Sequence, residues 1–362
     1  MPSPASFLPT LRWPRWLLVY LLALGLVAGP AYTMYVHYDF SHSLDTRSYL
    51  RVARGEFAGV SITRRYRVLV PWAAASVAWP LEKVYARIWP HRATTDWPLR
   101  LGFYAVNCLL MAGFGLVLFR SCQLYGASPP AAALAVAAVL VSRWAVYTAG
   151  LPLVDSLYLL VFALAFYAVR QGSGPALVAV LLLGPHAKES FVFLVPWLLW
   201  WGQRALRWPA QAGWLLLSGA VVLALRRWID ARIGAAAAES VHNALAHTEN
   251  LLYSLHRLFS VKGAGEIFSI FGFFSLVLLA GLRGRAARAV WLRPLGWPAL
   301  SLLAVVAIHM LLSGDLGRMG YLAAPVFAVA FSLILTHHPL FQWLGAGFAR
   351  QRPPLSETPD QP

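Results

Sequence analysis

The stretch from His37 to Trp72 crowds Asp39, Asp45 and Glu56 among Arg47, Arg51, Arg54, Arg64, Arg65 and Arg67. A carboxylate can take the proton of an attacking hydroxyl, and a guanidinium offers paired donors to phosphate oxygens. Three more acids stand beside apolar runs: Asp155, Glu189 next to Lys188, and Asp315 three residues before Arg318. Ionisable side chains in or beside such runs are costly, and each is a candidate functional group with a partner to be found. Asp45 is the first choice for a general base and Asp39 the second. Arg64, Arg65, Arg67, Asp155, Lys188, Glu189, Asp315 and Arg318 are the candidate substrate-binding residues.

Each of these positions also has a purely structural reading. Asp45 precedes Tyr49, Val52 and Ala53, which share one helical face, so it can serve as an N-cap. Asp155 follows Gly150-Leu151-Pro152-Leu153 at the start of an apolar run, where a carboxylate caps a helix or complements its dipole. Arg64, Arg65 and Arg67 stand just ahead of Val68 and can reach lipid phosphates at the bilayer surface. Asp315 and Arg318 can form an ordinary ion pair at a helix start. Lys188 and Glu189 are adjacent, so a helix points them about 100° apart and each needs another partner. For Lys188 that partner is expected to be Asp155.

The elements that must position these groups follow from composition. The 362 residues are 59% hydrophobic and 12% charged, with a mean hydropathy of +0.61, which excludes an ordinary globular surface. An all-α, polytopic transmembrane bundle is expected. Its 16 Trp and 14 Tyr suit interfacial belts. The net charge of +16 comes from Arg residues between apolar runs, not from one amphipathic surface. That points to cytoplasmic loops and anionic lipid as partners, and to no nucleic acid. The two cysteines, Cys108 and Cys122, fall in or beside one helix and imply no disulfide framework. The ten His show no metal-binding spacing, and Asp39 and Asp45 are too far apart for an Asp-x-Asp clamp. No cofactor is therefore expected; a divalent metal is compatible with the carboxylates but not supported by their spacing.

Arg12 and Arg15 precede the run Trp16 to Val36, which reaches the roughly 20 residues needed to cross a bilayer. It continues through Ala31, Tyr32 and Met34, so it reads as an uncleaved anchor, not as a signal peptide ending near Ala28. The most basic short loop, Arg283 to Arg293, is placed in the cytoplasm. Counting outward from it gives about ten spans with both termini cytoplasmic. One domain then covers 1–350, with outer loops at 37–98 and 226–265 and a disordered cytoplasmic tail at 351–362. The piece Pro175 to Gln203 reads as two short helices meeting outside at the break Gly184 to Ser190; one long kinked helix is the alternative. Val68 to Trp89 reads as a re-entrant or interfacial helix, and Leu245, Leu252, Leu255 and Phe259 as the apolar face of an amphipathic helix on the outer leaflet, or of a solvated loop helix. On this topology nine Arg lie in the outer segment 37–100, against the usual bias, and a phosphate ligand would account for their retention.

Asp45, Tyr49, Ala53 and Gly55, followed by Arg65, Leu69 and Pro71, resemble the first outer loop of GT-C-type polytopic glycosyltransferases that use polyprenyl-phosphate sugars. Three later features look like that superfamily too: Asp155 opening a span after Pro152, the Ala187-Lys188-Glu189-Ser190 break, and Asp315 with Arg318 ahead of Pro325. The resemblance spans roughly residues 16–337. It implies an outer loop that supplies the catalytic carboxylate, a cavity for a polyprenyl-phosphate-linked sugar, and residence in the plasma (inner) membrane. The chain departs from the pattern in having neither an Asp-Asp or Asp-x-Asp pair after the first span nor a sizeable C-terminal soluble domain. The chemistry itself needs one base and several cations, because the departing phosphate is already a good anion. The rival expectations are a transporter or flippase of an anionic lipid-linked substrate and a non-catalytic envelope-assembly protein.

Overall fold

The computed structural model describes residues 13–39, 43–234 and 240–341. Among these residues all regular structure is helical. The tail at 351–362 lies outside them.

Helix α1 (Trp13–His37) leads to α2 (Leu44–Ala53), the one-turn α3 (Ile62–Arg65) and α4 (Leu69–Ile88). A short α5 (Pro90–Ala93) turns the chain into α6 (Trp97–Leu124), followed by α7 (Pro129–Leu140), α8 (Arg143–Gly150) and α9 (Asp155–Gln171). Then come α10 (Gly174–Ala187), α11 (Val195–Trp201), α12 (Trp208–Ile233) and α13 (Ser240–Leu258). The chain closes with α14 (Val261–Phe271), α15 (Ser275–Leu282), α16 (Arg285–Ser313), α17 (Leu316–Gly320) and α18 (Ala324–His337). Local signals account for many boundaries. Ser43, Ser128, Ser142 and Ser173 each accept a backbone N–H in the first turn of α2, α7, α8 and α10, and α9 stops at Gly172, whose φ of 71° is left-handed.

Among the described residues, six stretches are long and apolar enough to cross a membrane: Arg15–His37, Trp97–Leu124, Trp208–Ile233, Val261–Leu282, Arg285–Ser313 and Leu316–His337. The pair α7 and α8, bent by 62°, passes as a seventh. The break from Gly184 to Ser190 is a hairpin tip. The backbone is extended at Lys188 (φ −163°, ψ 141°), after which α11 runs back between two 3-10 turns. The return is fixed at both ends: Lys188 Nζ lies 3.2 Å from Asp155 Oδ1 at the start of α9, while a Cβ on Gly174 would stand 3.3 Å from the Ala205 carbonyl. A single long kinked helix is thereby ruled out. Glycine at 184 is required at the tip, because a Cβ there would fall inside the Phe191 ring.

Successive segments alternate between two ends of the bundle. Arg100 donates to the Tyr35 carbonyl, so the end of α1 meets the start of α6. The N–H of Ser128, opening α7, donates to Thr336 near the end of α18, whereas Gly150, closing α8, sits against Ala31 of α1. The charged stretch after α1, the start of α9, the hairpin tip and α17 all share one end.

Helix α4 packs antiparallel on α6 with Ala74 and Ala78 against Gly102. A Cβ on Gly102 would collide with the Ala74 carbonyl, a backbone atom that cannot swing aside. Gly102→Ala is therefore expected to destabilise the fold by about 1–3 kcal/mol, read as a lowered melting temperature in detergent; an unchanged melting temperature would show that α4 is free to shift. Helix α13 forms as the periodicity indicates. Leu252 and Phe259 are exposed, and the buried Ser254 donates to the Met310 carbonyl of α16.

Candidate functional site

At the shared end, four carboxylates and four cations are joined by ion pairs, and all four cations and two of the carboxylates line one cavity. Asp45 stands in the first turn of α2, but the cap is Ser43, and the Asp45 side chain instead turns inward. Arg64 donates its Nε–H to Asp45 Oδ1, and Arg318 Nη1 donates to Asp45 Oδ2 at 2.8 Å. Both carboxylate oxygens are thus held by guanidinium groups, one from α3 and one from α17, the latter 273 positions from Asp45 in the chain.

Asp155 opens α9 without capping it. It binds Lys188 as expected, and its other oxygen lies 3.6 Å from Arg318. Lys188 also contacts Met319 Sδ at 3.3 Å. Glu189 accepts two hydrogen bonds from Arg67, at 2.7 and 2.9 Å, and Arg67 reaches the Tyr49 hydroxyl at 3.0 Å. Asp315 caps α17 by accepting the Arg318 N–H at 3.0 Å while its other oxygen pairs with Arg318 Nε at 3.1 Å. That arrangement fixes the base of the Arg318 side chain, whose far end then bridges Asp45 and Asp155.

Two candidates stand apart. Arg65 is buried on the other side of the chain, donating to the Val60 carbonyl at 3.1 Å and lying 3.7 Å from Asp230 of α12. It clamps the loop after α2 onto α12 and does not line the cavity. Asp39 follows α1 as an exposed residue and does not line it either.

The cavity, about 440 Å³, is lined by Asp45, Arg64, Arg67, Lys188, Glu189 and Arg318 on its charged wall. Phe193, Leu312 and Met319 line its apolar side, with Asn250, Ser190 and His309 between. His309 carries the one signal that sequence reasoning passed over, a lone ionisable side chain within an apolar run. Its Nδ1 faces the Val305 carbonyl at 2.8 Å, and a carbonyl only accepts, so Nδ1 carries the proton. Its Nε2 lies 2.7 Å from the Tyr158 hydroxyl, and Ser190 donates to that hydroxyl at 3.4 Å. This chain of bonds holds the polar floor of the cavity in one orientation.

The electrostatics are balanced and tense. Burial pushes the Asp45 carboxyl up, but Arg318 and Arg64 more than offset it and hold it below the ordinary aspartate value. A depressed folded-state value means that the pairing contributes its full stability above the unfolded value of about 4, and loses it as pH falls through the lower folded value. Acid titration of the melting temperature is therefore expected to show a loss below about pH 4 that Asp45→Asn reduces. An identical acid limb in the variant would mean that the pairing carries no stability.

No three His, Cys, Asp or Glu side chains among the described residues group as metal ligands. Each cavity carboxylate is instead engaged by a side-chain cation.

Compared with known proteins, the chain matches no protein-family model, no curated protein and no solved structure.

Proposed function

We propose that this chain is an integral-membrane glycosyltransferase that moves a sugar from a polyprenyl-phosphate donor to a lipid- or envelope-linked acceptor on the outer face of the plasma (inner) membrane. The observation that carries this reading is Asp45 held between Arg64 and Arg318 at the wall of a half-apolar cavity. Both guanidinium groups match phosphate oxygens as well as they match a carboxylate. When the donor's phosphate takes them, Asp45 loses the cations that depress it and becomes a competent base. The acceptor oxygen then attacks the anomeric carbon, its proton passes to Asp45, and the breaking bond leaves its electron pair on the phosphate. Arg64, Arg318 and Lys188 stabilise that leaving anion.

A second cavity supports a lipid donor. About 470 Å³ lies between α12 and the hairpin, and it shares Glu189 and Val192 with the charged cavity. Its remaining wall, including Phe191, Val195, Leu215, Val222 and Leu223, is largely apolar and suits an isoprenoid tail. Ten crossings account for the alternation: the seven stretches above, α9, and the two arms of the hairpin. The short loops at the end opposite the cavity carry Arg120, Arg170, Arg204 and the basic run Arg283 to Arg293; the positive-inside bias counted on these loops supports a cavity that opens outside with both termini inside, and the nine Arg of 37–100 at the cavity end are the exception that a phosphate ligand would account for.

The test is release of free polyprenyl phosphate by the purified protein in liposomes supplied with polyprenyl-phosphate hexoses and a membrane acceptor extract. Acceptor-dependent release supports the reading, and its absence with every donor overturns it. The hairpin tip bearing Lys188 and Glu189 at the cavity favours one rival, a flippase with a substrate site at a broken helix. Lipid crossing between leaflets without release of phosphate would identify it.

A further inference from the structure

Fifteen residues along α9 from Asp155, roughly 22 Å at 1.5 Å per residue, a separate cavity opens at the opposite end of the bundle. Its volume is about 490 Å³. It exists because α16 breaks there. Gly296, between Pro294 and Pro298, adopts φ 60° and ψ −166°, which leaves the helical path and opens a gap toward α9 and α11. Two cations reach the gap from different elements: Arg170 from the last turn of α9, and Arg204 from the 3-10 turn after α11. The turns that carry them are packed back to back, since a Cβ on Gly172 would stand 3.7 Å from the Arg204 carbonyl.

The charge balance here is the reverse of that at the first cavity. There, each lining cation faces a carboxylate. Here no acid lines the wall, and neither Arg170 nor Arg204 has a carboxylate within ion-pair distance among the described residues. Arg170 is nonetheless held in place: its guanidinium lies 4.4 Å from the Tyr125 ring centroid, and Tyr125 stacks on Phe166 at 5.5 Å and 7°. Stacking on a ring face leaves the in-plane N–H donors aimed outward. The rest of the wall is amphipathic. Trp201 is anchored by its indole N–H to Ser301 at 2.9 Å, and Trp200 beside it is 72% exposed, as an indole at a membrane surface is.

From this geometry we infer that Arg170 and Arg204 bind the phosphate of an anionic phospholipid, with its acyl chains against Trp200 and Pro298. A phosphodiester supplies the missing negative charge and can accept from both guanidinium groups, and the Trp and Pro side chains that share the wall with them suit a headgroup with its tail attached. The site is independent of the glycosyltransferase reading and stands or falls without it.

Native mass spectrometry of the full-length protein in detergent tests it, with cardiolipin, phosphatidylglycerol, phosphatidylcholine and soluble glycerol phosphate as probes. Wild-type protein is expected to retain the two anionic lipids over phosphatidylcholine. The Arg170→Ala/Arg204→Ala variant is expected to lose anionic-lipid occupancy about tenfold, and Arg170→Lys/Arg204→Lys, which keeps charge but not paired donors, to fall between. Arg207→Ala, an exposed cation at the same end that does not line the cavity, is expected to leave occupancy unchanged. Equal retention of phosphatidylcholine, or an alanine variant that binds as wild type does, overturns the inference. So does glycerol phosphate competing as well as the intact lipids, which would reassign the site to a free phosphate.

Discussion

Asp45→Asn is expected to lose sugar transfer by about 10²–10⁴-fold while binding polyprenyl phosphate more tightly than the wild type. The two effects have one origin. In the resting protein Asp45 is the internal occupant of Arg64 and Arg318, and an incoming phosphate must displace it. An amide keeps the shape of the side chain but neither accepts a proton at neutral pH nor competes as an anion, so turnover falls and affinity rises together. Single-turnover transfer and lipid-binding isotherms on the same preparation read both. Retained turnover moves the base elsewhere; loss of binding along with turnover makes Asp45 a scaffold for the arginines. Asp39→Asn, at an exposed position away from the cavity lining, serves as the contrast and is expected to leave both quantities unchanged.

Lys188→Met is expected to produce the largest loss of stability among the charged positions, roughly 3–5 kcal/mol. Lys188 and Asp155 have side chains only 11% and 10% exposed, and removing the ammonium leaves Asp155 with Arg318 at 3.6 Å as its remaining cation. The cost is that of an under-compensated buried carboxylate, not of the pair itself. The double variant Asp155→Asn/Lys188→Met removes both charges and is expected to recover most of the loss, since an uncharged pair of similar volume needs no internal counter-ion. Thermal unfolding of the four proteins in the same detergent closes the cycle. A single variant no worse than an ordinary surface substitution, within about 0.5 kcal/mol, would falsify the coupling.

Much of the bundle follows from residue order alone, for a physical reason. Apolar runs near 20 residues leave few alternatives to helices whose backbone groups are satisfied internally, and serine caps and Gly172 set ends within a turn. The hairpin at Gly184 to Ser190 was legible because neither apolar half was long enough to cross comfortably and the charges between them could not stay in hydrocarbon. Lys188 and Glu189, being adjacent, each needed another partner, and the choice of Asp155 for Lys188 among the few costly ions is the one the fold makes.

Tertiary packing decided the remainder. Asp45 as N-cap and Asp45 as inward-facing carboxylate are equally consistent with its neighbours; only the arrival of Arg318 from α17, beside α2 in space, separates them. Arg64, Arg65 and Arg67 are near neighbours in a cationic run, yet they serve Asp45, Asp230 and Glu189 respectively, because the turn of α3 points the first two different ways and Arg67 follows in the link to α4. His309 lacked any local signal beyond its isolation in an apolar helix, and its role depends on Tyr158 from 151 positions away. Sequence by itself determined that this chain is a helical membrane protein with a small number of ions too expensive to be incidental, because desolvation cost depends only on residue type and apolar context. Which ions meet was left to the fold, because ion pairing is decided over a few ångströms between helices whose order in space local sequence does not encode.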